Sequence, residues 1–243
     1  MSKVRLDHLL VAKELVASRS QAESYIKLGK VIVDGRVINK PGFFIADTAH
    51  LKVEQASQYV SRAGMKLESV AQAMGLSFVD KIVLDVGSST GGFTDYALRN
   101  GAKKVVAVDV GTDQMHPSLR GNPRVELYEK TDIRDFKTAH RIDIVVIDVS
   151  FISMREILPS VRNIVQNDRG TLIVAMLKPQ FEAGKGNVIN GVVKNNTQRR
   201  QIIRDFETWL KSNGFYIGGK KDSEVKGAKG NQERFYALKI TEQ

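Results

Sequence analysis

The sequence contains no cysteine. This excludes disulfides, thiolate nucleophiles and zinc–thiolate centres, and no metal site is expected. No apolar run approaches the length needed to cross a bilayer, and the first residues, MSKVRLDHLL, lack the apolar core of a signal peptide. The expected location is the cytoplasm, with no membrane partner. Internal repeats and low-complexity segments are absent. The glycine-rich turn at 87–92 lacks the spacing G-x-G-x-x-G, because position 89 is serine, so it does not read as a dinucleotide fingerprint.

What is present is an ordinary apolar content of 42% in 243 residues, enough for one α/β domain with its own core plus a small module. The net charge of +10 is unevenly placed. Residues 1–62 carry 10 Lys and Arg against 6 Asp and Glu, residues 63–177 carry 14 of each, and residues 178–243 carry 13 against 7. A neutral middle between two basic flanks fits a polyanion gripped from two sides, although solubility alone also favours excess charge.

The rest of the chain is organised around residues 82–95, IVLDVGSSTGGFTD. Ile82–Val86 is a β-type run suited to a strand buried on both faces. Gly87 to Gly92 then turns the chain, and a helix is predicted from Phe93 to Gly101. Such a turn lets a ligand approach the backbone and offers it helix N-terminal amides. The next strand, Val105–Val110, contains Asp109, placed to bond the two hydroxyls of a ribose. Val125–Tyr128, Ile142–Val149 and Leu172–Lys178 read as further strands, Gln198–Ser212 as a helix, and 215–225 and 234–240 as closing strands. Strands alternating with helices predict a mainly parallel sheet with helices on both faces and ligands at the carboxyl ends of the strands. Asp85, Asp109, Asp132, Asp148 and Lys178 all fall there.

The N-terminal segment reads differently. A helix is predicted over 3–16. A second is predicted to be capped by Ser18-Arg19-Ser20, with Glu23 three residues after Ser20 in capping-box spacing, and to close at Gly29. KVIVDGRVI then forms a hairpin about Asp34-Gly35, and FFIADTAHLKV adds one or two strands. Glu54 to Gln58 is polar and reads as a connection. The domain limits are set at 1–58 and 65–243, with 59–64 joining them.

Three resemblances follow from these residues. The form D-x-G-x-x-x-G-G with an acidic residue ending the next strand resembles motif I of S-adenosylmethionine-dependent methyltransferases. It implies cofactor contacts from Asp85, Gly87, Ser88, Ser89, Thr90, Gly91, Gly92, Phe93, Asp109 and Asp148, with Asp132 and Ile133 at the adenine. In the N-terminal segment, R-L-D-x-L-L with S-R-S-Q-A-x-x-x-I-x-x-G-x-V-x-V-x-G and K-P resembles the alpha-L RNA-binding fold. That fold is shared by a small-subunit ribosomal protein, heat-shock RNA-binding proteins and pseudouridine synthases. It implies RNA contacts from Arg5, Arg19, Ser20, Lys27 and Lys30. Finally, Lys66 in SRAGMKL, Asp148 in IDVSF, Lys178 in LKPQFE and Glu233 in GNQERF resemble the K-D-K-E tetrad of FtsJ-type ribose 2′-O-methyltransferases. Taken alone, a strand-end lysine is more often a surface residue with its stem buried; the matched contexts give these four their weight.

The resemblance implies that Lys178 takes the proton of a ribose 2′-hydroxyl, that Asp148 holds Lys178, and that Lys66 and Glu233 orient the nucleophile. A loop at 181–195 is expected over the site, with Lys185 and Lys194, and Lys226 and Lys229 beyond it, available to phosphates. Together the two domains, joined at YVSRAG, resemble the TlyA family over nearly the whole chain. The resemblance implies S-adenosylmethionine-dependent methylation of a cytidine ribose in rRNA of ribosomal subunits, with no DNA partner. The alternatives are a non-catalytic RNA-binding assembly factor and a membrane-active hemolysin, after a label the family carries. Nothing in the sequence is amphipathic or apolar enough to support the last.

Overall fold

The computed structural model describes residues 3–16, 19–27, 29–53, 59–165, 170–183, 191–193, 195–227 and 229–241. The chain divides into two compact units, Met1–Gln58 and Tyr59–Gln243.

The first unit begins with β1 (Lys3–Arg5), antiparallel to β4 (Phe44–Ala46), so the helix predicted over 3–16 is in fact a short strand followed by α1 (Leu6–Ala12). The amides of Leu6 and Asp7 donate to the carbonyls of Phe43 and Pro41, so these orphan donors of the first turn are satisfied by the loop. The second helix, α2 (Arg19–Lys27), already contains Ser20, which is therefore a first-turn residue, while Ser18 lies outside the described residues. Glu23 instead lies 3.7 Å from Arg19 and 3.8 Å from Lys27, pairs one helical turn apart. The hairpin forms as its sequence predicts. β2 (Val31–Val33) and β3 (Arg36–Val37) are joined by Asp34 at φ 47° and Gly35 at φ 81°, the left-handed pair that matches strand twist. β5 (Leu51–Val53) pairs with the other side of β2. Leu6, Leu10, Ile26, Val31 and Ile45 meet in one small core.

The second unit is a seven-stranded sheet built from β6 (Ile82–Val86), β7 (Lys104–Val108), β8 (Val125–Tyr128), β9 (Ile144–Ile147), β10 (Leu172–Leu177), β11 (Phe215–Asp222) and β12 (Arg234–Ile240). Its order is β11-β12-β10-β9-β6-β7-β8; the five strands from β10 to β8 are parallel, and β12 and β11 are antiparallel additions. Because side chains alternate along each strand, the sheet builds two cores. Val83, Val105, Ile144, Val146 and Val174 face α3 (Arg62–Ala71) and α4 (Gly92–Arg99). Leu84, Val106, Val145, Ile147 and Ile173 face α6 (Met154–Val165) and α8 (Asn196–Ser212). Two short helices, α5 (Pro117–Arg120) and α7 (Pro179–Glu182), lie at the carboxyl edge of the strands they follow.

Residues 59–64, expected to join the domains, belong to the second unit. Tyr59 is buried with its ring centroid 5.4 Å from that of Tyr96, the Val60 amide donates to Asp95, and Arg62 is already helical. α6 was not anticipated. Its N-terminus is held by Glu182, which accepts from Ser153 Oγ at 2.7 Å and from the Met154 amide at 2.6 Å.

Candidate active site

The turn after β6 works because Gly87 has no side chain. Its φ is +78°, and a Cβ there would stand 2.7 Å from the carbonyl oxygen of Asp148. The end of β6 can therefore lie against the segment leaving β9, and two linked pockets open beside it. The larger, about 490 Å³, runs past Gly87, Ser89, Asp109, Asp132, Ile133 and Asp148. The smaller, about 130 Å³, is lined by Ser61, Asp85, Ser88, Thr90, Phe93 and Lys178 among others. Gly87, Ser89, Asp148 and Ser150 border both.

The smaller pocket is polar and under-satisfied. Asp85 projects from the α4 face of β6, is fully buried, and accepts a 2.6 Å hydrogen bond from Thr94 Oγ1. Its other oxygen has no partner among the described residues, nor have the buried hydroxyls of Ser61 and Ser88. Burial raises the Asp85 carboxyl to about 7; Thr94 opposes the rise, while the nearby charges of Asp148 and Asp109 add to it. Three orphaned polar atoms in one small cavity are costly unless a polar ligand meets them. In the larger pocket Asp109 accepts from the amides of Ser89 at 2.8 Å and Gly111 at 2.7 Å, which fixes its carboxylate at the rim. Asp132 is held by Arg134 at 2.6 Å, a contact that lowers its carboxyl. Gly91 and Gly92 shape the turn: Gly91, at φ +89°, is the residue before α4, and Gly92 is its first. The Phe93 ring packs toward Phe235 with centroids 6.0 Å apart.

The unit holds two amine–carboxylate pairs, the first of which, Lys178 with Asp148, lines the smaller pocket. Lys178 Nζ is 2.6 Å from Asp148 Oδ1 and donates to Ser150 Oγ at 2.7 Å. Lys66 Nζ, from α3, is 2.6 Å from Glu233 Oε2, and both side chains are largely buried. The register explains the grouping. The antiparallel ladder of β10 and β12 ends with Leu177 opposite Arg234, so the next position on each strand sets Lys178 across from Glu233.

Sequence reasoning missed several neighbours of these groups. Ser150 and Ser61 carry no signal beyond their place beside a matched motif. Gln114, whose Oε1 accepts from Ser89 Oγ at 3.0 Å, comes from a loop that looks featureless. Phe151 is 91% exposed at φ +66°, with its ring 5.2 Å from that of Phe181. A left-handed backbone at a bulky residue is uncommon, and so is a nearly bare ring.

In the first unit, Asp7 is buried and accepts from Arg5 in a fork at 3.0 and 2.8 Å and from Arg19 at 3.0 Å. These bonds, Arg5 first, hold its carboxyl well below the usual range despite burial. Lys27 lies beside Glu23, and Lys30 sits over the Tyr25 ring at 5.6 Å. The side chain of Ser20 and residues Lys185 and Lys194 lie outside the described residues. Lys226 offers its carbonyl to Arg62, and Lys229 lies over Gly191.

A parallel sheet with a cleft at its carboxyl edge, orphaned polar atoms under a glycine turn and two amine–carboxylate pairs defines a group-transfer enzyme of the methyltransferase class. Residues 59–240 match the FtsJ-like methyltransferase family, and residues 4–47 match the S4 domain. The chain is 38% identical to the 16S/23S rRNA (cytidine-2′-O)-methyltransferase TlyA of Mycobacterium tuberculosis, over 98% of this chain and 90% of that one. It is also 38% identical to Hemolysin A of Brachyspira hyodysenteriae, over 95% of this chain and 97% of the relative. A hemolysin-named structure from Streptococcus thermophilus superposes with a TM-score of 0.77 at 38% identity, covering all of this chain and 90% of that one. The chain belongs to the TlyA family of FtsJ-like methyltransferases. No helix among the described residues is long and apolar enough to span a bilayer.

Proposed function

We propose that the protein transfers a methyl group from S-adenosylmethionine to the 2′-oxygen of a cytidine ribose in ribosomal RNA. The observation that carries this reading is the pair of contacts Lys178–Asp148 and Lys66–Glu233, brought together by the register of β10 and β12. Asp85, Ser88 and Ser61 fit the charged amino-acid end of the cofactor, because an ammonium answers a buried carboxylate and the end is rich in hydrogen-bonding atoms. Asp109 serves the cofactor ribose, and the larger pocket beside Asp132 and Ile133 serves the adenine.

The cofactor supplies a sulfonium methyl that is already activated, so this chain's residues have to position the acceptor and manage one proton. Lys178 Nζ, placed by Asp148 and Ser150, takes the proton of the 2′-hydroxyl in its neutral amine form, after giving up its own extra proton to solvent. Lys66 and Glu233 hold the acceptor ribose in line. The exposed ring of Phe151, which borders the larger pocket and lies against Phe181, offers a face for the target base. The first unit, with Arg5 and Arg19 presented together by Asp7, holds RNA phosphates. The cytidine preference is supported by the name of the mycobacterial relative. The same RNA substrate supports a cytoplasmic location.

The test uses radiolabelled S-adenosylmethionine and ribosomal subunits from a strain lacking this gene, comparing the native protein with Lys178→Ala. Label should enter rRNA at a nucleotide that becomes resistant to alkaline cleavage on its 3′ side, and the variant should lose it. Tight binding of cofactor and RNA with no turnover on any subunit or on naked rRNA would instead point to an assembly factor.

A further inference from the structure

The outer face of the β1–β4 ribbon carries more than charge. Val4 and Ile45 are register partners and turn toward the core of the first unit. Their neighbours Arg5 and Phe44 are also partners, so both project from the opposite face. Phe44 is 58% exposed there, and Phe43 beside it 46%. A solvent-facing strand position ordinarily takes a polar residue.

Arg5 does not float beside this ring. Its guanidinium is forked onto Asp7, whose same Oδ2 also takes Arg19. A Cβ on Gly42 would lie 3.6 Å from the Arg5 guanidinium carbon, so the group rests against the backbone that leads into Phe43. Arg5 and Arg19 share this buried carboxylate, Glu23 lies 3.7 Å from Arg19, and Lys27 lies 3.8 Å from Glu23, so three cations face two carboxylates and the cluster keeps a net positive charge at a fixed place. An anion fits that centre, and a planar apolar group fits the ring next to it. Phosphate and base in that order make up one nucleotide of RNA.

We propose that this face is a nucleotide-reading site, in which the Phe44 ring stacks on an unpaired RNA base while Arg5 and Arg19 hold the adjoining phosphate. The inference rests on the RNA-binding reading of the first unit and narrows it to unpaired RNA. A duplex keeps its base faces stacked and offers only its backbone and groove edges.

The experiment uses the full-length protein with two probes, single-stranded oligocytidine and a fully paired RNA duplex of equal length. In Phe44→Trp, fluorescence above the contribution of the natural Trp209 should be quenched by the single strand and not by the duplex. Phe44→Ala should weaken single-strand binding about tenfold while leaving the slope of affinity against salt unchanged. Arg19→Ala should reduce that slope by about one. Phe44 is exposed, so each ring variant should keep the native melting temperature, which separates lost binding from lost folding. Equal quenching by both probes, or Phe44→Ala binding as wild type, would overturn the proposal while the RNA reading stands. Failure of the wild-type protein to bind either RNA would overturn both. Loss of self-association in Phe44→Ala, seen by sedimentation, with RNA affinity unchanged would assign the ring to a protein contact instead.

Discussion

Replacing Asp85 by asparagine should make the ligand-free protein more stable and the cofactor-bound protein less so. The Asp85 carboxyl lies near 7 in the folded protein against an ordinary 3.8, and burial is the main cause. The sign follows from proton counting. Between about pH 4 and pH 7 the folded chain keeps a proton that the unfolded chain has released, so stability falls as pH rises through that window. Well above it, the buried charge costs on the order of 4 kcal/mol. Asparagine removes the charge and keeps an oxygen for Thr94 Oγ1, but it sets an amide where the second oxygen had no partner. That amide costs about 1–3 kcal/mol. The balance is a gain of about 2 kcal/mol at pH 8, or about 4–8 °C in Tm for a chain of this length. At about pH 5 the gain should vanish, because wild-type Asp85 is then mostly protonated.

The cofactor should close the gap. S-adenosylmethionine at about 100 times the wild-type Kd stabilises the wild type by about 2.7 kcal/mol. A variant binding about a hundredfold more weakly, having lost the charged partner of the ammonium, gains well under 1 kcal/mol. Thermal melts of both proteins at the two pH values, with and without cofactor, read all of this. If Asp85→Asn melts below wild type at pH 8 without cofactor, or binds cofactor as tightly, the reading of Asp85 as a strained ammonium site is refuted.

Three further outcomes are expected. Lys178→Met should lower turnover about a thousandfold while calorimetry finds the cofactor Kd within about twofold of wild type, because the lysine acts on the acceptor; an equal loss of cofactor affinity would make it a binding residue. Phe151→Ala should raise the KM for ribosomal subunits about tenfold without moving Tm, because the ring is almost fully exposed. Glu182→Gln should lower stability by about 1 kcal/mol in denaturant titration, since a charged acceptor for Ser153 and the Met154 amide becomes a neutral one.

The centre of the parallel sheet was legible because β6, β7 and β9 are short runs rich in valine and isoleucine, with Asp85 inside the end of the first and Asp109 and Asp148 just beyond the other two, the pattern of strands buried on both faces. The glycine turn was legible for a similar reason, since few sequences tolerate positive φ three times in five residues, as Gly87, Ser89 and Gly91 do here, and glycine takes two of the three places. The first helix misled because Lys3–Arg5 is too short to show a period, and its strand exists only through pairing with Phe44–Ala46, some forty residues on. α6 has helical spacing in Met154, Ile157, Leu158, Val161 and Val165, but Pro159 in its middle cuts the pattern into pieces too short to read. The motif residues Asp85, Asp109, Asp148 and Lys178 line the two pockets, whereas Ser61, Gln114 and Phe151 owe their places there to tertiary approach. Nothing local marks a phenylalanine that will be left outside.

The grouping of the four charged residues depends on the direction of one strand. β12 runs antiparallel to β10, so it presents its first residues, not its last, at the carboxyl edge of the parallel strands. Glu233 stands just before that strand and therefore arrives across from Lys178. A parallel final strand would bring the Ile240 end there instead. Lys66 comes from α3, which precedes the first strand of the sheet and packs beside α4. The pair Lys66–Glu233 is thus made from the two sequence ends of the catalytic unit, outside the repeating strand–helix core that supplies Asp148 and Lys178. This core can build a ligand cleft by itself; the second amine–carboxylate pair needs the antiparallel strand. That is the structural reason why a carboxylate near the end of the chain, unremarked by any strand pattern, stands across from Lys178 and meets Lys66.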